Sequence, residues 1–321
     1  METNLIITDR DKCEGCNKCI RNCPVEANIA YLDNGKVKVK IDYERCINCG
    51  KCLEVCDHNA RDYYDDTERF FKDLKNGVKI TLIAAPAVRA NFGNYKNLFG
   101  YFKSIGVNLI YDVSFGADIT TWAYLKMIKD KNISTLIAQP CPAVVSYVEK
   151  YQSQIINNLS PIHSPMMCTV EYLRKYKNDN SKLAFLSPCI AKKNEMENTN
   201  DSVSYNVTYK KLADYLKNNN INIANYKEKD FDDIGCELGF LFSRPGGLRE
   251  NIEAVMKDAW VKQVEGPDIV YKYLSNYNER VKKNKPVPLV VDALNCTHGC
   301  NIGSAVCITD EALDDIDYLF N

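Results

Sequence analysis

Residues 11–23 read DKCEGCNKCIRNC, and residues 44–56 read ERCINCGKCLEVC. Both are copies of one pattern, C-x2-C-x2-C-x3-C, offset by 33 residues. Between them, Tyr31 to Asp42 alternates like a strand pair around a turn at Asn34-Gly35. Cysteine makes up about 5% of the 321 residues, too dilute for a disulfide scaffold. The N-terminus has no basic segment followed by an apolar run, so no secretory signal is read. No stretch approaches the roughly 18 apolar residues that a membrane span needs. Thiols in a reducing cytosol serve metals or catalysis more often than disulfides. The expectation is a soluble cytoplasmic protein with no membrane partner.

Fifteen cysteines stand against three histidines, so metal chemistry here is thiolate chemistry. Three thiolates at C-x2-C-x2-C wrap around three corners of an iron–sulfur cube, and the fourth ligand comes from the other repeat. Cys13, Cys16, Cys19 and Cys56 are therefore assigned to one 4Fe-4S cluster, and Cys46, Cys49, Cys52 and Cys23 to a second. The alternative is a zinc module, but zinc sites favour separated C-x2-C pairs. The repeat resembles the bacterial two-cluster ferredoxin signature, in which proline follows the last cysteine. Cys23-Pro24 keeps that proline, whereas Cys56 is followed by Asp57. Residues 1–66 are read as a small α+β ferredoxin-like domain that moves electrons one at a time.

After residue 66 the texture changes. The chain is 45% hydrophobic, and 41 basic side chains balance 42 acidic ones. That balance excludes a globally basic nucleic-acid binder. Apolar runs at Ile80–Ala84, Val107–Val113, Ser134–Ala138, Leu183–Leu186 and Pro288–Val291 read as strands. Helical patterns lie between them at Asn97–Ile105, Asp118–Lys129 and Ala143–Leu159. This alternation predicts an α/β domain over residues 67–321 with parallel sheets covered on both faces. Sites in such sheets form beyond the carboxyl ends of strands. Cys141, Cys189 and Cys296 each follow a strand, and Cys300 follows Cys296 by four residues. Four such thiols meet the need of one further cubane, against the plainer reading that each is a small buried hydrophobe.

These residues resemble the iron-only (FeFe) hydrogenase family. Its signatures T-S-C-C-P, M-P-C-x2-K-x2-E and E-x-M-x-C-x3-C correspond to AQPCP at 138–142, SPCIAKKNE at 187–195 and DALNCTHGC at 292–300. APAVR at 85–89, SFGADIT at 114–120, SPMM at 164–167 and FSRPGGLR at 242–249 extend the resemblance in order. It implies a two-lobed hydrogenase-like domain and an H-cluster, a 4Fe-4S cube joined through a cysteine sulfur to a two-iron unit. Carried over, Cys141, Cys189, Cys296 and Cys300 hold the cube, and Cys300 bridges to the two irons. Lys192 offers hydrogen bonds to a cyanide ligand, Ala85, Pro86 and Phe242 line the cofactor, and Glu195 and Ser160 remain as members of a proton relay.

The departures bear on rate. Where catalytic relatives keep a proton-relay cysteine, this chain has Pro140, which has no exchangeable side-chain proton and no backbone N–H. The acidic pair that the family usually places after the D-x-T segment corresponds to Ala123-Tyr124. Ala87, Met166, Ser187 and Leu294 replace serine, glutamine and two methionines. Loss of a general acid or base costs about 10²–10⁴-fold, so slow turnover is expected. The P-C-P form is similar to members regarded as hydrogen sensors.

The resemblance implies H2, protons and ferredoxin or another one-electron carrier as partners, with a signalling partner if the role is sensing. Two alternatives stand beside this reading. One is an efficient ferredoxin-linked hydrogenase with a different proton path, through Cys168 or His298. The other is a non-catalytic iron–sulfur scaffold or carrier without the two-iron unit. Cys236 and Cys307 are left unassigned.

Overall fold

Asn34 and Gly35 turn the chain with φ of 49° and 77°, as an Asn-Gly hairpin turn demands. The computed structural model describes residues 5–200, 202–233, 235–308 and 313–320. Strand β1 (Ile6–Thr8) is followed by the hairpin strands β2 (Asn28–Asp33) and β3 (Lys36–Ile41). Strand β4 (Arg61–Tyr63) returns to pair antiparallel with β1. Val39 and Ile41 point inward from β3, and the cysteine repeats run into short helices at Lys18–Arg21 and Lys51–Glu54.

Seven strands follow: β5 (Ile80–Ala84), β6 (Ile110–Asp112), β7 (Leu136–Ile137), β8 (Lys182–Ser187), β9 (Tyr205–Thr208), β10 (Val261–Glu265) and β11 (Val290–Leu294). They form two sheets, ordered β6-β5-β8-β9 and β10-β11-β7, and every neighbouring pair is parallel. Both sheets are covered on two faces, which is why β5 and β11 are buried at every residue. Leu82 and Ala84 of β5 face Phe70, Leu98 and Phe102, while Ile83 faces Met166, Val170 and Leu173. Val291 and Ala293 of β11 face Val144, Val270 and Leu274, and Val290 faces Tyr124, Leu248 and Ile252. Full burial of each such side chain is worth about 1.5–3 kcal/mol. The α/β, two-sheet architecture expected from the alternating pattern is present.

Several boundaries move for identifiable reasons. The strand expected over Val107–Val113 is confined to β6, and it ends at Asp112 because the helix expected from Asp118 already begins at Val113 and runs to Lys131. Asp112 caps it by accepting from the Ser114 amide at 2.8 Å. The helix expected over Ala143–Leu159 stops at Tyr151, and a 3-10 segment carries Ser153–Asn158. The strand expected at Pro288–Val291 slides to Val290–Leu294, which brings its end to within two residues of Cys296.

Candidate metal centre

The twelve cysteines singled out in the sequence gather into three hollows. Cys13, Cys16, Cys19 and Cys56 line one, beside the hairpin and His58. Cys23, Cys46, Cys49 and Cys52 line a second. Each hollow takes three thiols from one repeat and the fourth from the other, the crossed arrangement that the spacing implies. Cys141, Cys189, Cys296 and Cys300 line the third, together with Cys49. Cys49 thus borders both the second and third hollows, and Cys16 at the far end is exposed. The three lie in series from surface to interior.

The innermost hollow spans about 830 Å³, the open solvent at its mouth included. It opens where the carboxyl ends of β7, β8 and β11 converge, bringing Cys141, Cys189 and Cys296 to it from separate strands. Its walls are largely apolar: Ala85, Pro86, Val113, Met166, Phe185, Phe242 and Leu294 all contribute, and Pro140 stands beside Cys141. Burial pushes the Cys189 thiol up, Cys296 well up, and Cys300 up to about 12. The neighbouring thiols add to each shift by repulsion. Thiols raised in this way give up their protons only to a strongly cationic guest. Gly299 sets the loop between Cys296 and Cys300 with φ of 68°, and a Cβ there would meet the Ser243 carbonyl oxygen at 2.7 Å. Gly299→Ala is therefore expected to destabilise the fold by about 1–3 kcal/mol, read as a lower Tm; an unchanged Tm refutes the steric argument.

Lys192 is 9% exposed and lines this cavity. Its Nζ donates to Glu195 Oε2 at 2.5 Å and to Ser164 Oγ at 3.4 Å. Ser164 Oγ also donates to Glu195 Oε1. An ammonium has three donors, so one is left for the cavity. The serine joined to Glu195 is Ser164, which the sequence reading did not single out for the relay. Ser160 is buried elsewhere: its Oγ accepts from the Ile162 amide at 3.1 Å and is hydrogen-bonded to Tyr124. A separate pocket on the far side of Glu195 is lined by Glu195, His163, Glu149, Ser146 and Gln139.

Cys168 does not line the cavity; its thiol meets Thr120 Oγ1 at 3.3 Å and the His163 carbonyl at 3.6 Å. Cys307 donates to the Tyr209 carbonyl at 3.3 Å, and His298 lines an outer cleft beside Thr297. Ala87 and Ser187 are buried and do not line the cavity. Asn295 escaped the sequence reading. Its Nδ2 reaches the Cys49 carbonyl at 3.2 Å and Cys296 Sγ at 3.7 Å, while Tyr271 donates to its Oδ1 at 2.6 Å. It ties the second hollow to the third, and its place next to Cys296 was the signal available.

Residues 78–301 match the C-terminal domain of the iron-only hydrogenase large subunit, about 70% of the chain. The chain belongs to the iron-only hydrogenase family. Residues 5–57 match a 4Fe-4S dicluster domain. Iron hydrogenase 1 of Clostridium pasteurianum is 26% identical over 229 residues, covering 62% of this chain and 40% of that protein. The NADP-reducing hydrogenase subunit HndD of Solidesulfovibrio fructosivorans is 26% identical over 224 residues, covering 58% and 38%. The chain therefore spans about two-fifths of the length of these curated relatives. Among solved structures, an FeFe-hydrogenase from work on oxygen inactivation of its H cluster superposes with a TM-score of 0.61 at 17% identity, covering 79% of this chain and 87% of that one. A HydA1 variant from Chlamydomonas reinhardtii gives 0.59 at 15% identity, covering 79% and 87%. At such identities the likeness is one of fold.

The residues of this iron-only hydrogenase family member fit the family's iron–sulfur groups. All fifteen cysteines are free thiols. Among the described residues no group of three or more Cys, His, Asp or Glu is placed to hold a single metal ion. The thiols border hollows, as a cube-sized guest requires. No helix among the described residues is long and apolar enough to cross a membrane.

Proposed function

We propose that the chain interconverts H2 with two protons and two electrons, slowly, and that it serves as a hydrogen sensor. The observation that carries this reading is the set of three thiol-lined hollows, the inner two of which share Cys49. The innermost has a buried lysine in a dry wall. Cys141, Cys189, Cys296 and Cys300 hold the H-cluster, which when bound supplies the chemistry of splitting and forming H2. Lys192 holds an anionic ligand at its free N–H, and the apolar wall of Pro86, Met166, Phe185 and Phe242 excludes water. Two electrons leave one at a time through the quartet containing Cys49, then the quartet containing Cys16, to ferredoxin or another one-electron carrier. We place the division between the electron-transfer and hydrogenase units at residues 66 and 67, and a signalling partner is the receiver in a sensing role.

Pro140 closes the usual proton exit, which supports low flux. The Lys192–Glu195–Ser164 cluster favours a second route, because Lys192 faces the cavity while Glu195 and Ser164 face the outer pocket. A proton held at Glu195 Oε1 or Oε2 passes from one side to the other. Glu195→Gln keeps the size but not the base, and is expected to lower turnover about 10²-fold with the cofactor retained. Unchanged turnover removes Glu195 from the route.

Infrared spectra of the matured protein test the whole reading. Carbonyl and cyanide bands are expected; their persistent absence favours a scaffold without the two-iron unit. Hydrogen evolution from reduced ferredoxin at the speed of efficient relatives overturns the slow, sensing assignment.

A further inference from the structure

Arg61 is a charged side chain that the site described above does not use. It sits on β4 at 8% exposure, and among the described residues no carboxylate contacts it. Its Nη1 donates to Thr8 Oγ1 at 2.6 Å. Its Nη2 donates to Asn28 Oδ1 at 2.7 Å and to Cys19 Sγ at 3.3 Å. Asn28 in turn donates to the Cys19 carbonyl at 3.1 Å, so the guanidinium and the cysteine are held by the same amide.

A buried guanidinium without a counter-charge is strongly disfavoured, and neutral hydroxyl and amide acceptors do not neutralise it. The hollow of Cys13, Cys16, Cys19 and Cys56 borders Arg61, and four thiolates around a cube supply the missing negative charge. The second quartet is treated differently. Among the described residues, Cys23 Sγ and Cys46 Sγ accept from neutral amides, those of Ala27 at 3.2 Å and Asn48 at 3.4 Å, and the Lys150 ammonium there donates to the Cys46 carbonyl at 3.0 Å, not to a sulfur. Among the described residues the guanidinium hydrogen-bonds to a sulfur of the outer quartet alone.

We propose that Arg61 is a positioning residue that orders the two cluster potentials, holding the outer cluster above the inner one so that electrons drain from the hydrogen site towards the surface. The proposal rests on the assignment of the two quartets to 4Fe-4S clusters. The step is a single electron transfer: the inner cluster is oxidised by one electron and the outer is reduced by one, with no bond or proton moved. Reduction adds one negative charge to the outer cluster, which a nearby cation and an N–H···S contact stabilise. A hydrogen bond from a charged donor is roughly twice as strong as a neutral one, and deeper burial disfavours the extra charge on the inner cluster.

The test uses the full chain with its clusters in place and follows reduction by EPR-monitored redox titration. Arg61→Gln is expected to move the higher-potential wave down, with a smaller shift in the lower one and no loss of iron. Arg61→Lys, which keeps the charge but not the fork, should fall between. In the unmutated protein labelled with 15N-arginine, pulsed EPR of the reduced outer cluster should detect coupling to a guanidinium nitrogen; this decides the matter if Arg61→Gln does not fold. Clusters that are present but show neither the shift nor the coupling overturn the role of Arg61 alone. A chain that takes up no 4Fe-4S cluster at these quartets overturns the ligand assignment, and this proposal with it.

Discussion

Cys300→Ser, matured under the same conditions as the unmutated chain, is expected to lose the carbonyl and cyanide infrared bands and all hydrogen turnover. The two clusters of the N-terminal quartets should remain. The reasoning starts from the cavity. Cys300 follows Gly299, whose positive φ turns the loop so that both residues border the innermost hollow. Burial holds its thiol up to about 12, so a guest that claims it has to displace a tightly held proton. A serine hydroxyl, with its much higher intrinsic pKa, is a far poorer ligand for a soft iron site. Iron content should fall by about four atoms or more, while the EPR signals of the outer clusters stay. Cys168→Ser is the control: its thiol faces Thr120 and the His163 carbonyl, not the cavity, and its spectra should match the unmutated chain. Bands that survive in Cys300→Ser sink the assignment of Cys300 as the bridging ligand.

The parts legible in the sequence are those governed by local chemistry. The continuous apolar runs of β5 and β11 announce strands buried on both faces, and the Asn34-Gly35 turn announces its hairpin. The crossed grouping of the eight N-terminal thiols follows from what C-x2-C-x2-C can reach. What escaped depends on side chains far apart in the chain. Asp112 both caps a helix and pairs with Arg89 at 2.5 Å, so β6 ends earlier than its apolar pattern suggests. Glu195 meets Ser164, 31 residues away, because the helix Pro165–Tyr176 presents its N-cap serine to the lysine–glutamate pair. Arg61 and Asn295 carry no motif of their own; only the packing of β4 against the first repeat and of Cys49 against β11 reveals what they touch.

Pro140→Cys is expected to raise hydrogen turnover by about 10²-fold, the low end of what a general acid or base contributes. Pro140 lines the cavity next to Cys141, so a thiol there would face the same space without displacing an existing ligand. It would also restore a titratable side chain and a backbone N–H, both of which proline lacks. The gain should stop at the low end because the next group inward is poor at proton exchange. The neighbouring Gln139 amide donates to the Tyr124 hydroxyl at 3.2 Å, and Tyr124 also bonds to Ser160. Burial raises the Tyr124 hydroxyl far above its ordinary value, so it releases a proton reluctantly near neutral pH. A carboxylate at that position would relay far more readily, and Pro140→Cys combined with Tyr124→Glu should exceed Pro140→Cys alone. Infrared spectra distinguish the outcomes: unchanged carbonyl and cyanide bands with faster turnover place the limit at proton supply. If turnover stays slow with intact bands, proton supply at position 140 is not the limit. The altered wall of Met166 and Leu294, where relatives carry glutamine and methionine, then becomes the place that sets the rate.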